Sequence, residues 1–318
     1  MSAARSTRSG TRRWPGKSGR HVARRRAGAK EMAVSSSILK RPAAPAPAAP
    51  AGAPAGRALR RLGLGLAVPV LILVVWQLVG QSAAMAGVVP TPVQVARAWY
   101  AWIFGDPGMG LNPYQGTWVS NVQYSTMRVA QGFALAMATG IPLGLAIGWS
   151  RLTSQLLDPL IQGLRPIPIT AWLPFSIALF GIRDMGSIFL IFLGGFYAIV
   201  VNTTQGARDV DRNLVRAASM MGASSGQLMR RVVLPAAMPS IFTGLRIGLG
   251  ISWTAVIVSE MVAVKSGLGY VLWDAYYVGR MDIVLANMVS IGMMGFLSDR
   301  LIVAIEHRVL AWRMLQNH

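Results

Sequence analysis

Six long apolar runs, each carrying few or no charges, dominate this sequence, at residues 62–80, 124–150, 152–182, 187–204, 239–262 and 283–305. Crossing the hydrocarbon core of a bilayer takes about 20 mostly apolar helical residues. Helices satisfy their own backbone hydrogen bonds there, whereas irregular chain exposed to lipid cannot. The runs therefore predict an all-α membrane protein of about six transmembrane helices. Composition agrees, because 13% of the 318 residues are charged, against about 25% in soluble domains. The third run is interrupted by Asp158, Arg165, Pro166 and Pro168, which predicts a broken element whose first half lies at the interface. Pro142 and Pro174 are tolerable, since neighbouring helices re-satisfy the carbonyls that a proline frees.

The net charge of +20 raises the question of a nucleic-acid binder, and the placement of the charge answers it. Residues 1–61 hold 15 Lys and Arg and a single acid, Glu31, leaving 16 basic and 10 acidic residues for everything after them. The basicity belongs to a tail. Its Arg, Ser, Gly, Ala and Pro, closing on RPAAPAPAAPAGAPAG, include too few large apolar side chains to offset the entropy of ordering. Residues 1–60 are expected to be a disordered cytoplasmic tail, 61–310 the membrane domain and 311–318 a cytoplasmic end. Met32 offers an alternative start.

Two lookalikes fall away on spacing. Ala84-Met85-Ala86 has the form of a signal-cleavage site, but the charged region and apolar core before it are too long for a secretory signal. Gly10 and Gly16-Lys17-Ser18 stand five residues apart where a phosphate-binding loop needs four, so the chain is not expected to hydrolyse ATP. With no cysteine and three histidines, His21, His307 and His318, no disulfide, thiolate site or metal site is expected. Nor do the spans carry paired acids, histidines or a Ser and Lys at catalytic spacing, so no catalytic residue is predicted.

Lys and Arg accumulate on the cytoplasmic side of membrane proteins. With the tail inside, the cytoplasmic segments hold Arg151, Arg165, Arg208, Arg212, Arg216, Arg230, Arg231, Arg308 and Arg313, against Arg97, Arg183, Lys265 and Arg280 outside. Both ends are thus expected in the cytoplasm. Gly140, Gly144 and Gly148 recur every four residues in the second run, as do Gly244 and Gly248 in the fifth, predicting flat stripes for close helix packing.

Between the fourth and fifth runs lies DVDRNLVRAASMMGASSGQLMRRVVLP, too polar for the membrane and too regular for an arbitrary loop. Asp209 or Asp211 can cap a short helix. Leu214, Ala217, Ala218 and Met221 then share one helical face. Gly222 suits the left-handed position that ends it, Ser224 or Ser225 can cap a second helix, and Pro235 is expected to stop that helix before the fifth run. A helix, turn and helix at the membrane surface, about residues 205–236, is predicted.

This loop resembles that of the permease subunits of binding-protein-dependent ABC importers: Glu-Ala-Ala, three residues, Gly, nine residues, Ile, one residue, Leu-Pro. Here it reads Arg216-Ala217-Ala218, three residues, Gly222, nine residues, Val232, one residue, Leu234-Pro235. All spacings match, with Arg216 standing where the pattern has glutamate. VVPTPVQVARAW, STMRVAQGFALAMATGIPLGLAIGWS, LRPIPITAWLPFSIALFGI, PAAMPSIFTGLRIGLGISWTAVIVSEMV and GLGYVLWDAY resemble the nitrate, sulfonate and taurine branch, over about residues 62–310. The resemblance implies a type I importer permease fold in the bacterial inner membrane, working as a homodimer. It implies a separate ATPase that uses ATP and Mg and grips the loop, and an extracytoplasmic solute-binding protein that delivers a small anion. No cofactor is expected on this chain, and no nucleic acid. The WDAY at residues 273–276 leans toward the nitrate-like side.

Arg246, Trp253 and Glu260 in the fifth run are candidates for the translocation pathway, since a carboxylate in a membrane span is costly enough to ask for a role. For Glu260 the plainer expectation is an interfacial residue paired with another helix or reaching water, and for Arg246 snorkelling to the inner face. Asp299 and Arg300 read as a structural or surface pair, and Met220, Met221, Met293 and Met294 as packing residues. The alternative function is a membrane-tethered protein that binds nucleic acid or lipid through its arginine-rich tail.

Overall fold

A computed structural model describes residues 54–82, 88–105 and 113–311. The tail before residue 54, with its phosphate-loop lookalike and Met32, lies outside them, as do Ala84-Met85-Ala86 and Arg313. The chain divides into two units, residues 1–66 and 67–318. Residues 54–66 of the first are helical, and the second holds the bundle described below. All regular structure among the described residues is helical.

The helices are α1 Pro54–Gln81, α2 Pro92–Phe104, α3 Trp118–Trp149, α4 Arg151–Leu164, α5 Leu173–Phe180 and α6 Asp184–Arg208. After them come α7 Arg212–Met220, α8 Ser225–Leu228, α9 Leu234–Ala263, α10 Leu268–Tyr277 and α11 Met281–Val309. Four are long and apolar enough to cross a membrane: α3, α6, α11 and the continuous helix Ser225–Ala263. A fifth span is made if α4 and the Ile169–Phe180 segment, bent by 93° at a short break, count as one. The apolar part of α1, Ala67–Gln81, is shorter, and its Val68, Leu71, Ile72 and Leu78 face outward. The expected break in the third run is therefore present. On α4, Leu152, Leu156 and Leu160 form an exposed stripe while Ile161 packs against Val200 and its neighbours on α6.

Helix α6 is the central element, packed along both α3 and α9. Glycine makes this closeness feasible. A Cβ on Gly140 would lie 3.1 Å from Ile199 Cγ2, one on Gly144 2.6 Å from Thr203 Cβ, and one on Gly148 2.5 Å from Ala207 Cβ. On the other side, Gly244 meets Asn202 at 2.8 Å and Gly248 meets the Gly195 carbonyl at 3.0 Å. Both predicted stripes thus face the same helix. The first also extends to Gly132, whose Cβ would stand 2.7 Å from Ile191. Thr204 Oγ1 donates to the Gly144 carbonyl at 3.1 Å, a hydrogen bond only so close an approach permits.

Polar side chains tie α2, α10 and α11 to the start of α3. Thr91 caps α2 through a reciprocal box with Gln94. The indole N–H groups of Trp99 and Trp118 both donate to Ser290 Oγ on α11, at 3.0 and 2.9 Å. Tyr114 donates to Asp274 at 2.6 Å, fastening the turn before α3 to α10.

Candidate functional site

The surface hairpin is built as its sequence dictates. Asp211 caps α7 by accepting from the Asn213 amide at 2.8 Å. At the far end the Gly222 amide bonds the Ser219 carbonyl at 3.0 Å and the Ala223 amide bonds the Ala218 carbonyl at 3.2 Å. With Gly222 at φ +82°, this is the glycine-terminated 6→1, 5→2 closure of a helix. Ser224, rather than Ser225, caps α8 in a reciprocal box with Gln227. Nothing stands within 4 Å of a Cβ on Gly222, so the glycine is there for its backbone angle and for whatever approaches from outside.

Of the predicted face, Leu214, Ala217 and Met221 are exposed and Ala218 is half-buried. Leu214 is 56% exposed, Met220 86% and Met221 82%. Met220 and Met221 are therefore not packed among the described residues, contrary to their reading as packing residues. Arg216 is exposed too and lines a cleft of about 570 Å³ with Gly148, Trp149, Ala207, Arg208, Val210, Arg212 and Val215. Pro235 does not stop the helix: Met229–Val233 form a π turn and the Leu234 amide reaches back to the Met229 carbonyl. Widening the turn by one residue gives the proline ring room and absorbs its missing N–H, so α8 runs on into α9.

At the other end of α9 lies a polar clasp that sequence reasoning did not assemble. Glu260 is fully buried rather than reaching water, and it is paired with another helix, as expected, through Arg128. Its carboxylate accepts from Arg128 Nη1 at 2.7 Å, from Ser125 Oγ at 2.9 and 2.8 Å, and from the Gly269 amide at 2.9 Å. Arg128 is itself 4% exposed. Its Nε and Nη2 reach the single oxygen Oδ1 of Asp184 at 2.9 and 2.7 Å. Nη1 also donates to the Ser266 carbonyl at 2.8 Å and Nη2 to Ser266 Oγ at 2.7 Å. Four of the five guanidinium protons are thus in hydrogen bonds, as a charge held in an apolar surround requires. The Gly267 amide donates to Asn121 at 2.9 Å and the Leu268 amide to Ser125 at 2.8 Å, closing the loop over the pair. Arg128, Arg183, Asp184, Lys265 and Ser266 line a cleft of about 490 Å³ beside it. The signal available in the sequence was one lone arginine and one lone glutamate in separate apolar spans, which in a membrane ask for a partner.

The three pathway candidates are not brought together. Trp253 is 5% exposed, its indole donating to Ser298 Oγ at 2.8 Å, and Glu260 is sealed in the clasp. Arg246 is the exposed one, forked onto Asp299 at 2.8 and 3.2 Å. That corrects the pairing of Asp299 with Arg300, whose guanidinium lies instead over the Phe296 ring at 4.8 Å. Among the described residues no group of three metal-ligating side chains occurs.

Several membrane-length helices around a glycine-packed centre, interrupted by a capped and exposed hairpin, define a multi-pass membrane protein. The chain belongs to the family of binding-protein-dependent transport system inner membrane components, whose profile matches residues 140–311. It is 38% identical over 264 residues, 81% of this chain and 95% of the other, to a protein of Methanocaldococcus jannaschii described as an ABC transporter permease. It is 36% identical to the nitrate import permease protein of a Synechocystis strain, over 76% of this chain and 86% of that one. A Bacillus subtilis protein described as an aliphatic sulfonates transport permease is 34% identical over 78% of this chain and 87% of its own. Among solved structures, an inward-facing form of the MetNI methionine ABC transporter aligns with TM-score 0.52 and 19% identity, covering 61% of this chain and 99% of that one. That likeness carries the fold. These relatives support the transport reading and not the tethered nucleic-acid or lipid binder.

Proposed function

We propose that this chain is the permease subunit of an ATP-driven importer for a small oxyanion such as nitrate, an aliphatic sulfonate or taurine, in the bacterial inner membrane. The observation that carries the reading is the hairpin, a doubly capped element whose Leu214, Met220 and Met221 are exposed among the described residues. A separate ATPase subunit is the proposed occupant of that surface, contacting Arg216, Ala217, Ala218, Met221 and Gly222 and supplying ATP and Mg chemistry. Leu234 and Pro235 then pass the motion into α9. An extracytoplasmic solute-binding protein delivers the substrate, and two copies of the chain enclose the pathway, with the exposed Arg246 its candidate inner lining. The hairpin and both chain ends are placed in the cytoplasm. The names of the nitrate and sulfonate relatives support the substrate class, and the arginines clustered around the hairpin support the orientation.

The test is Gly222→Asp in the complete importer, reconstituted in liposomes. A side chain at φ +82° and a charge on an apolar contact face both oppose docking. Substrate-stimulated ATP hydrolysis and uptake are expected to fall at least tenfold with membrane insertion unchanged. Normal coupled uptake in this variant, or protease mapping of the hairpin to the outer face, overturns the assignment.

A further inference from the structure

The clasp holds one anion firmly and another loosely. Glu260 is fully buried and accepts from three donors, Arg128 Nη1, the Gly269 amide and the Ser125 hydroxyl, which lies between its two oxygens. Among the described residues Asp184, by contrast, accepts from Arg128 alone, through one oxygen, and its side chain is 64% exposed while that of Arg128 is 5% exposed. A carboxylate so exposed gains little from its ion pair, because water competes for it and screens it. The guanidinium it touches cannot leave, being fixed from behind by Glu260 and Ser266.

The edge that Asp184 occupies has a specific shape. Nε and Nη2 form the side-on fork of a guanidinium, two parallel N–H vectors that match two oxygens of a planar oxyanion. Asp184 meets this edge with a single Oδ1, hydrogen-bonded to Nε at 2.9 Å and in ion-pair contact with Nη2 at 2.7 Å, so the fork is used below its capacity. The cleft in front of it holds about 490 Å³ and is lined by three cationic side chains, Arg128, Arg183 and Lys265, against the one carboxylate of Asp184. Arg183 and Lys265 are exposed and form no ion pair among the described residues. A cleft with that surplus raises the local concentration of anions.

We infer that the Nε/Nη2 edge of Arg128 is a binding site for a small oxyanion, with Asp184 as an internal stand-in that the incoming anion displaces. The inference rests on the importer reading above and assigns its substrate class a contact on this chain. Displacement conserves the charge around Arg128: one anion leaves the fork as another arrives. The freed Asp184 moves into water, where its charge is cheap. Lys265 and Arg183 hold the exchanging anion at the mouth, and Glu260 keeps Arg128 from following it. Because the stand-in competes at all times, binding is weak and release is fast, which suits a site that an anion passes through.

The test titrates nitrate into the full-length chain in lipid nanodiscs and follows the 15N signals of the arginine Nε–H groups, with chloride holding ionic strength constant. The Arg128 signal, identified by its change in Asp184→Asn, is expected to move saturably with nitrate and not with chloride. Asp184→Asn is expected to lower the half-saturating nitrate concentration about tenfold, the factor by which a competitor holding the fork about nine-tenths of the time weakens apparent affinity. Lys265→Gln is expected to raise it about threefold. An Arg128 signal that nitrate leaves in place, or an unchanged half-saturation in Asp184→Asn, overturns the site. Uptake of nitrate, taurine and an alkyl sulfonate by liposomes holding the complete importer separates the two levels. Uptake combined with a nitrate-blind Arg128 refutes this site alone, whereas no uptake of any of them refutes the anion reading on which it rests.

Discussion

A methyl group on Gly267 has nowhere to go. The residue sits at φ +106°, and its Cβ would run into the carboxylate of Glu260. Both reasons trace to the Arg128–Glu260 pair, which the loop must cover closely enough to exclude water. Glu260→Gln leaves the guanidinium without its buried counter-charge, and the expected loss of stability is about 3–5 kcal/mol, read as a lowered denaturation midpoint in detergent. The double variant Glu260→Leu with Arg128→Met is expected to recover most of that loss, because an apolar pair needs no counter-charge. A double variant no better than the single one sinks the account of the clasp as an ion pair. Each member was visible in the sequence as an isolated charge in an apolar span. That they find each other was not, because they stand 132 residues apart and their meeting depends on the relative height of α3 and α9, which no local pattern encodes. Asp184 was harder still to see, since it looks like an ordinary acid at a helix start.

The helix faces tell a related story. Glycines four apart marked the contact surfaces of α3 and α9, and those surfaces are where the spacing put them. What spacing alone could not say is that both press on α6. That became visible only with Gly206, whose Cβ would lie 2.6 Å from Ser240 Cβ, and Gly195, 3.1 Å from Ala136, supplying small residues on α6 itself. Gly144→Leu is expected to cost about 1–3 kcal/mol, since the neighbouring helix must shift to admit it. Gly292→Leu on α11, with nothing within 4 Å of its Cβ, is expected to be neutral. Equal midpoints for the two variants would count against glycine-mediated packing. The hairpin was the most legible element, because caps and a left-handed glycine are local signals. Pro235 misled for the same reason: a proline read locally ends a helix, whereas a π turn three-dimensionally makes space for it.

At the scale of the molecule, the contrast between helices is instructive. Over their most apolar stretches, the Ser225–Ala263 helix has 56% of its residues buried and α11 6%. A helix of membrane length that is so little covered by its own chain needs lipid or a second copy against it. Native mass spectrometry of the assembled importer is expected to find two copies of this chain with two of the ATPase; a single copy contradicts the proposed homodimer. Removing residues 1–53 is expected to leave uptake unchanged, and loss of transport in that truncation would revive a role for the arginines there.

The π turn at 229–233 leaves the Ser225–Ala263 segment as one helix of 39 residues, about 58 Å at 1.5 Å per residue. One end of this rod is the surface hairpin and the other is Glu260. Under the proposed importer reading, a twist applied at Ser225 is expected to travel along this one continuous helix toward the arginine that Glu260 holds. On that reading Arg128 is the place where work done at the hairpin is expected to be felt at the far end of the helix.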